Sequence, residues 1–292
     1  LLEANNKGSS VKLERAIVDL ILQIENTMSA TAPTAGPRSE AGVAEAVFRE
    51  GTIPELQFSE LTPRLLHSAI EQTGYLIVRG FFESEQANTL RSCIDEAFHA
   101  RVDAVTDAGA ADTSPWYYRS PHFSDGKHVA YSQRDNGNAP KPRGSTRVIE
   151  SPRSALTLLD LYRQRGVKAL VEGYFNEPAV IAARKWVFRL IEPIPAKRES
   201  IGGGWHQDGQ FMGEGVAALN LWVALSECGE GTGAPGIALL PRRLTKLLEY
   251  GTRGARMHWV VGRVLVGELA EQAHIVGPHF CAGDARVVVH RR

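Results

Sequence analysis

The spacing of apolar residues changes at Pro178, and that change limits the folds open to this chain more than any other feature. Before it, apolar residues recur at three- and four-residue steps, the signature of helices with one buried face. After it they fall into short runs separated by Gly and Pro, at about 179–191, 216–226, 236–240, 260–266, 275–280 and 285–289. Strands at that spacing predict an antiparallel sandwich or barrel. Helices first and strands later predict an α+β fold.

The helical part has recognisable punctuation. Residues 11–26 carry Leu13, Ile17, Leu20, Ile21 and Ile24 at helical steps, followed by MSATAPTAGPRSEAG, which reads as a linker. The chain begins with Leu1, and Met28 stands in the manner of an initiation codon. Residues 1–27 are therefore expected to be a leader or fusion, the other reading being an N-terminal helix docked on the domain. Thr62-Pro63 reads as an N-cap and first-turn proline, opening a helix that runs to about Gln72. Gly74 ends it, and residues 75–79 form a short β-branched run. Ser84 caps a second helix with Ala87, Leu90, Cys93, Ile94, Ala97 and Phe98 at helical spacing. Residues 103–150 are rich in Gly, Asp, Ser, Pro and Arg and predict a long functional or mobile loop. A third helix is predicted over 155–175. The domain reading is an extension and linker over 1–57 and one domain over 58–292.

Charge removes several classes of function. The 292 residues hold 33 basic and 33 acidic side chains, so no net positive field exists to collect phosphates, and neither nucleic acid nor membrane is expected as a partner. Three widely spaced cysteines without a C-x-x-C pair fit a reducing cytoplasm better than a disulfide framework. What remains is an enzyme acting on a small-molecule substrate, with its oligomeric state open.

The densest cluster of chemically unusual residues is Gly202-Gly203-Gly204-Trp205-His206-Gln207-Asp208-Gly209. His206 and Asp208 are two apart, so on an extended strand both project from one face and can ligate one ion. A second His from elsewhere would complete the two-histidine, one-carboxylate face that holds non-haem Fe(II). By itself the pattern also fits a surface strand end whose His and Asp only hydrogen-bond. The order of its surroundings is more specific: ALNLWVAL, then a Gly-rich turn over 229–236, then IALLP, then a Gly283-Asp284 turn with a strand after it.

This order resembles the phytanoyl-CoA dioxygenase family of Fe(II)- and 2-oxoglutarate-dependent oxygenases. The resemblance rests on GYLIVRGFFESEQANTLRSCIDEAF, on GGWHQDG leading into LNLWVALSECGEGTGAPGIALLP, and on PHFCAGD, and covers roughly residues 60–285. It implies a double-stranded β-helix, a jelly-roll or cupin-like core, with N-terminal helices flanking it. It also implies iron held by His206, Asp208 and a distal His, with 2-oxoglutarate and O2 as co-substrates and succinate as a product. Trp222 shares a strand face with Asn220 and by that resemblance lines the 2-oxoglutarate pocket, its other reading being an ordinary core tryptophan.

The chain departs from the family beyond Asp284. His290, six residues on, is the candidate third ligand, with His279 as the fallback. The Arg expected to pair with the far carboxylate of 2-oxoglutarate has no match; Arg291 is a poor substitute and Arg189 a distant one. A C-terminus that is truncated, leaving the jelly roll incomplete, is the expectation that accounts for these departures together. His122, Asp125 and His128 read as metal-binding or, more simply, as solvated loop residues. Arg242, Arg243 and Lys246 read as a solvated helix face, and His258-Trp259 has no assigned partner. Two rival functions stay open: a catalytically inactive jelly-roll ligand-binding protein, and a cupin-like metalloenzyme without 2-oxoglutarate.

Overall fold

The structure is a computed structural model that describes residues 10–31, 48, 53–107, 109, 113–123, 144–190, 218–226, 238–239, 274–275 and 285–291. The expected strand over 260–266 lies outside them. The chain divides into two compact units, residues 1–33, 85–168 and 178–192 in one, and 34–84, 169–177 and 193–292 in the other. Helix and strand are mixed, as an α+β chain requires. Among the described residues the strands form one four-stranded and two two-stranded sheets, and these do not make up a double-stranded β-helix.

The first unit is mainly helical. Helix α1 (Val11–Thr31) packs against helix α4 (Pro152–Gln164), burying Ile17, Val18 and Leu22 on one side and Ala155, Leu156, Leu158 and Leu161 on the other. Its one fully enclosed carboxylate, Glu14, is only 1 % exposed and accepts an ion-pair hydrogen bond from Arg153 at 3.1 Å. A buried charge is tolerated when so paired. Helix α3 (Ser84–Thr106) starts where Ser84 predicts, and is tied to α4 by the Ser154 hydroxyl donating to the Cys93 carbonyl at 3.1 Å. Strands β3 (Gly144–Arg147) and β4 (Val187–Leu190) pair antiparallel from Gly144↔Leu190 to Arg147↔Val187. The run expected over 179–191 is thus a strand only at its end, because a 3-10 turn at Ala183–Lys185 interrupts it.

The second unit holds the larger sheet. Thr62 caps helix α2 (Pro63–Thr73), its side chain accepting from the Leu65 amide at 3.1 Å. Gly74 closes the helix in the left-handed region at φ 94°. Strand β2 (Tyr75–Phe82) follows at once, longer than the 75–79 predicted. Tyr75, Leu76, Ile77 and Val78 are buried in succession rather than alternately, so both faces of the strand are covered. It lies between β1 (Glu55–Gln57), which runs parallel to it, and β8 (Ala285–Arg291), which runs antiparallel. Strand β5 (Leu219–Ala224) pairs with the other side of β8, giving the order β1-β2-β8-β5. Strands β6 (Ala238–Leu239) and β7 (His274–Ile275) form a separate antiparallel pair.

The helix predicted over 155–175 is two helices, α4 and α5 (Val167–Phe175). Gly166 separates them at φ 64°. Apolar periodicity continues across the break, which is why the sequence pattern reads as one helix.

Candidate functional site

Strand β8 brings sequence-distant residues together. It is hydrogen-bonded on both sides, so residue 290 has two fixed neighbours: Tyr75 across β2 and Asn220 across β5. In antiparallel pairs, residues directly opposite share a face. Tyr75, His290 and Asn220 therefore form one row across the sheet. Ile77, Val288 and Trp222 form the next row on that face. Tyr75 and Ile77 are buried at its centre, with Ile53 and the half-buried Trp222 packed against them.

The result is an apolar platform with a few polar groups set into it. Trp222 closes one end of the aromatic-aliphatic cluster, which excludes water from the rows it covers. Tyr75 is 5 % exposed, and burial pushes its phenol pKa above the usual value. It stays a neutral donor near pH 7. Asn220, on the row of Tyr75 and His290, adds an amide that can both donate and accept.

The sequence-predicted residues are distributed unevenly over the described parts. Trp222 lies on the platform, and His290 occupies its register position in β8. His206 and Asp208 lie outside the described residues, as do Asp125, His128, Arg242, Arg243, Lys246, His258, Trp259 and His279. Among the described residues, no group of three or more His, Cys, Asp or Glu is placed to hold a metal ion. Arg189 is exposed on β4, opposite Ser145. Arg291 pairs with Leu219 at the end of β8. His122 sits in a 3-10 turn (Pro121–Phe123), its ring nitrogen 3.2 Å from the Gln23 amide nitrogen. Sequence reasoning missed Tyr75. Its signal, an aromatic heading a run of β-formers just after a helix-ending Gly, reads as plain core, and only the pairing with β8 shows what stands opposite.

The first unit holds a second polar assembly. Asp19 of α1 accepts from the Tyr118 hydroxyl at 2.9 Å and from Ser120 at 2.6 Å. Arg15 lies over the Tyr118 ring at 4.9 Å and donates to the Ser114 carbonyl at 2.9 Å. Arg153 lies over Trp116 at 5.4 Å. Lost hydration, then the hydrogen bond to Asp19, push the Tyr118 phenol to about 12. The part of the predicted loop over 114–123 is thus fastened to α1 rather than free, and these groups serve structure.

A family model for phytanoyl-CoA dioxygenase (PhyH) matches residues 70–237, more than half of the chain. Tyr75, His206, Asp208, Asn220 and Trp222 fall inside the matched stretch, and His290 falls beyond it. No curated protein and no solved structure matches the chain.

Proposed function

The chain belongs to the phytanoyl-CoA dioxygenase family, and from that membership we propose that it is an Fe(II)- and 2-oxoglutarate-dependent oxygenase. It hydroxylates or otherwise oxidises a small molecule, with succinate and CO2 as co-products. The observation that carries the reading is that His206 and Asp208, spaced to share one strand face, lie within the matched residues 70–237.

Two imidazoles and one carboxylate are a donor set suited to ferrous iron. We assign His206, Asp208 and His290 to it, the imidazoles neutral and the carboxylate ionised, as ligation requires. Bound there, iron would supply open coordination positions for the oxo acid and for O2. The chain does the rest by holding and drying. Support for His290 comes from its strand, which is hydrogen-bonded on both sides and so holds a ligand in a rigid frame. Support for Trp222 as the wall of the oxo-acid pocket comes from its packing against Tyr75 and Ile77, which keeps water from that side. A double-stranded β-helix core belongs to the proposal too. The order β1-β2-β8-β5 sets strands far apart in sequence side by side, as a jelly roll does. The free, buried Cys93 agrees with work in a reducing cytoplasm.

The test is direct. Purified protein with Fe(II), 2-oxoglutarate and ascorbate is expected to release succinate, and His206→Ala to abolish it. No succinate, together with unchanged 2-oxoglutarate binding in His206→Ala, would overturn the reading.

A further inference from the structure

We propose that the Tyr75 phenol is a further ligand-binding group of this site, donating a hydrogen bond to a carboxylate oxygen of the bound 2-oxo acid; the inference rests on the oxygenase reading above. Three observations meet at this residue. Its side chain is nine-tenths and more enclosed, at 5 % exposure. It stands opposite His290 and on the row of Asn220, one row from Trp222, with Trp222 and Ile53 packed on the cluster it forms with Ile77. Among the described residues, no hydrogen bond is made by its hydroxyl, whose backbone neighbours alone are bonded, through Thr73.

A hydroxyl kept dry and unbonded costs free energy that a phenyl ring would not. The same strand shows the alternative: Phe81 and Phe82 fill the core edge to face at 5.0 Å between ring centres, with nothing polar to satisfy. Tyr118, elsewhere in the chain, shows the usual solution, its hydroxyl bonded to Asp19 at 2.9 Å. Tyr75 has neither a reason in packing to carry oxygen nor a described partner for it. A buried polar group in that position calls for a partner from outside the chain.

The chemistry of the partner follows from that of the phenol. Burial holds Tyr75 protonated, so it offers one O–H donor. An ionised carboxylate accepts only, and an O–H to carboxylate bond is charge-assisted and about twice as strong as a neutral one. The platform around it is apolar, which strengthens the bond further. No proton is transferred; the phenol positions the oxo acid.

Calorimetric titration of 2-oxoglutarate into the full chain loaded with Mn(II) reads this without turnover. Tyr75→Phe keeps the ring and is expected to bind about 10- to 100-fold more weakly, with an unchanged melting temperature. The tyrosine ultraviolet difference signal that the wild type develops on adding 2-oxoglutarate should be lost in the variant. Equal affinity in the two proteins overturns the inference and leaves the oxygenase reading standing. Weaker binding that tracks a lowered melting temperature, with the tyrosine signal retained, assigns Tyr75 to packing and overturns it as well. Failure of the wild type to bind 2-oxoglutarate at all overturns the oxygenase reading, and the inference with it.

Discussion

The Tyr118 hydroxyl donates to the Asp19 carboxylate at 2.9 Å, joining residues 99 apart in the chain. Ser120 donates to the other oxygen of that carboxylate at 2.6 Å, and the Arg15 guanidinium covers the Tyr118 ring. Helix α1 therefore fastens the segment after α3. Asp19→Ala leaves two hydroxyls without their acceptor, and the expected loss is about 1–3 kcal/mol, read as a lower urea midpoint. Tyr118→Phe removes one of the two bonds and should cost about 1 kcal/mol. The double variant should lose less than the sum, because the two changes share one bond. An Asp19→Ala protein as stable as the wild type would show that the segment is held by other contacts.

Alkaline pH should weaken the fold in a defined window. Tyr118 is pushed from 10.0 to about 12, first by lost hydration and then by the hydrogen bond to Asp19. Tyr162, stacked on Trp186 at 5.9 Å between ring centres, is pushed from 10.0 to about 12 by burial. The folded chain holds both protons more tightly than the unfolded chain does, so this stability is whole below pH 10 and falls as pH rises toward 12. Urea midpoints measured across that range should decline, and Tyr162→Phe should flatten the decline. Midpoints that stay level would sink the assignment.

Much of the second unit was legible where the determinants are local. The cap at Thr62, the proline at Pro63 and the stop at Gly74 each act within one turn, and helix α2 begins and ends with them. Strand β2 was legible as a strand for the same reason. Its neighbours were not, because pairing with β8 depends on residues more than 200 positions away in sequence, and no local pattern encodes a register between them. The helix break at Gly166 was hidden by apolar spacing that suits either side of it. At the site, His206 and Asp208 declare themselves by side-chain chemistry and spacing alone. Tyr75 does not, since burial and an unbonded hydroxyl are properties of a packed sheet.

Close approach, rather than backbone freedom, defines Gly173 in α5. A Cβ there would stand 2.7 Å from Cγ and 2.9 Å from Cβ of Pro63, and the ring at the first turn of α2 is stiff. Gly173→Ala gains about 1 kcal/mol of helix propensity but must push Pro63 aside, which costs about 1–3 kcal/mol. The expected result is a net loss of stability, measured by thermal melting. A stabilised variant would mean that α2 moves away at little cost.

Trp222 should report on both packing and co-substrate. It is half-buried against Tyr75 and Ile77, so Trp222→Ala should lose about 2 kcal/mol, roughly half the cost of emptying a fully buried Trp site. Trp222→Phe should recover most of that stability. If the indole also walls the oxo-acid pocket, both variants should raise the KM for 2-oxoglutarate, the alanine more than the phenylalanine. A KM that is unchanged in both would leave Trp222 a core residue only.

The third iron ligand can be decided between His290 and His279 by metal binding alone. His290 sits on a strand with Tyr75 and Asn220 as fixed neighbours, a rigid frame of the kind that lowers the cost of ordering a ligand. Removing an imidazole that touches the ion should weaken Fe(II) binding by more than the roughly 10- to 100-fold that loss of an outer supporting group costs. His290→Ala is expected to do so, and His279→Ala to bind as the wild type does, with both variants melting normally. Chelation of the wild type should abolish succinate release, and added Fe(II) should restore it. The reverse pattern, with His279→Ala losing iron and His290→Ala keeping it, would move the ligand to the turn before β8 and leave His290 as a sheet residue.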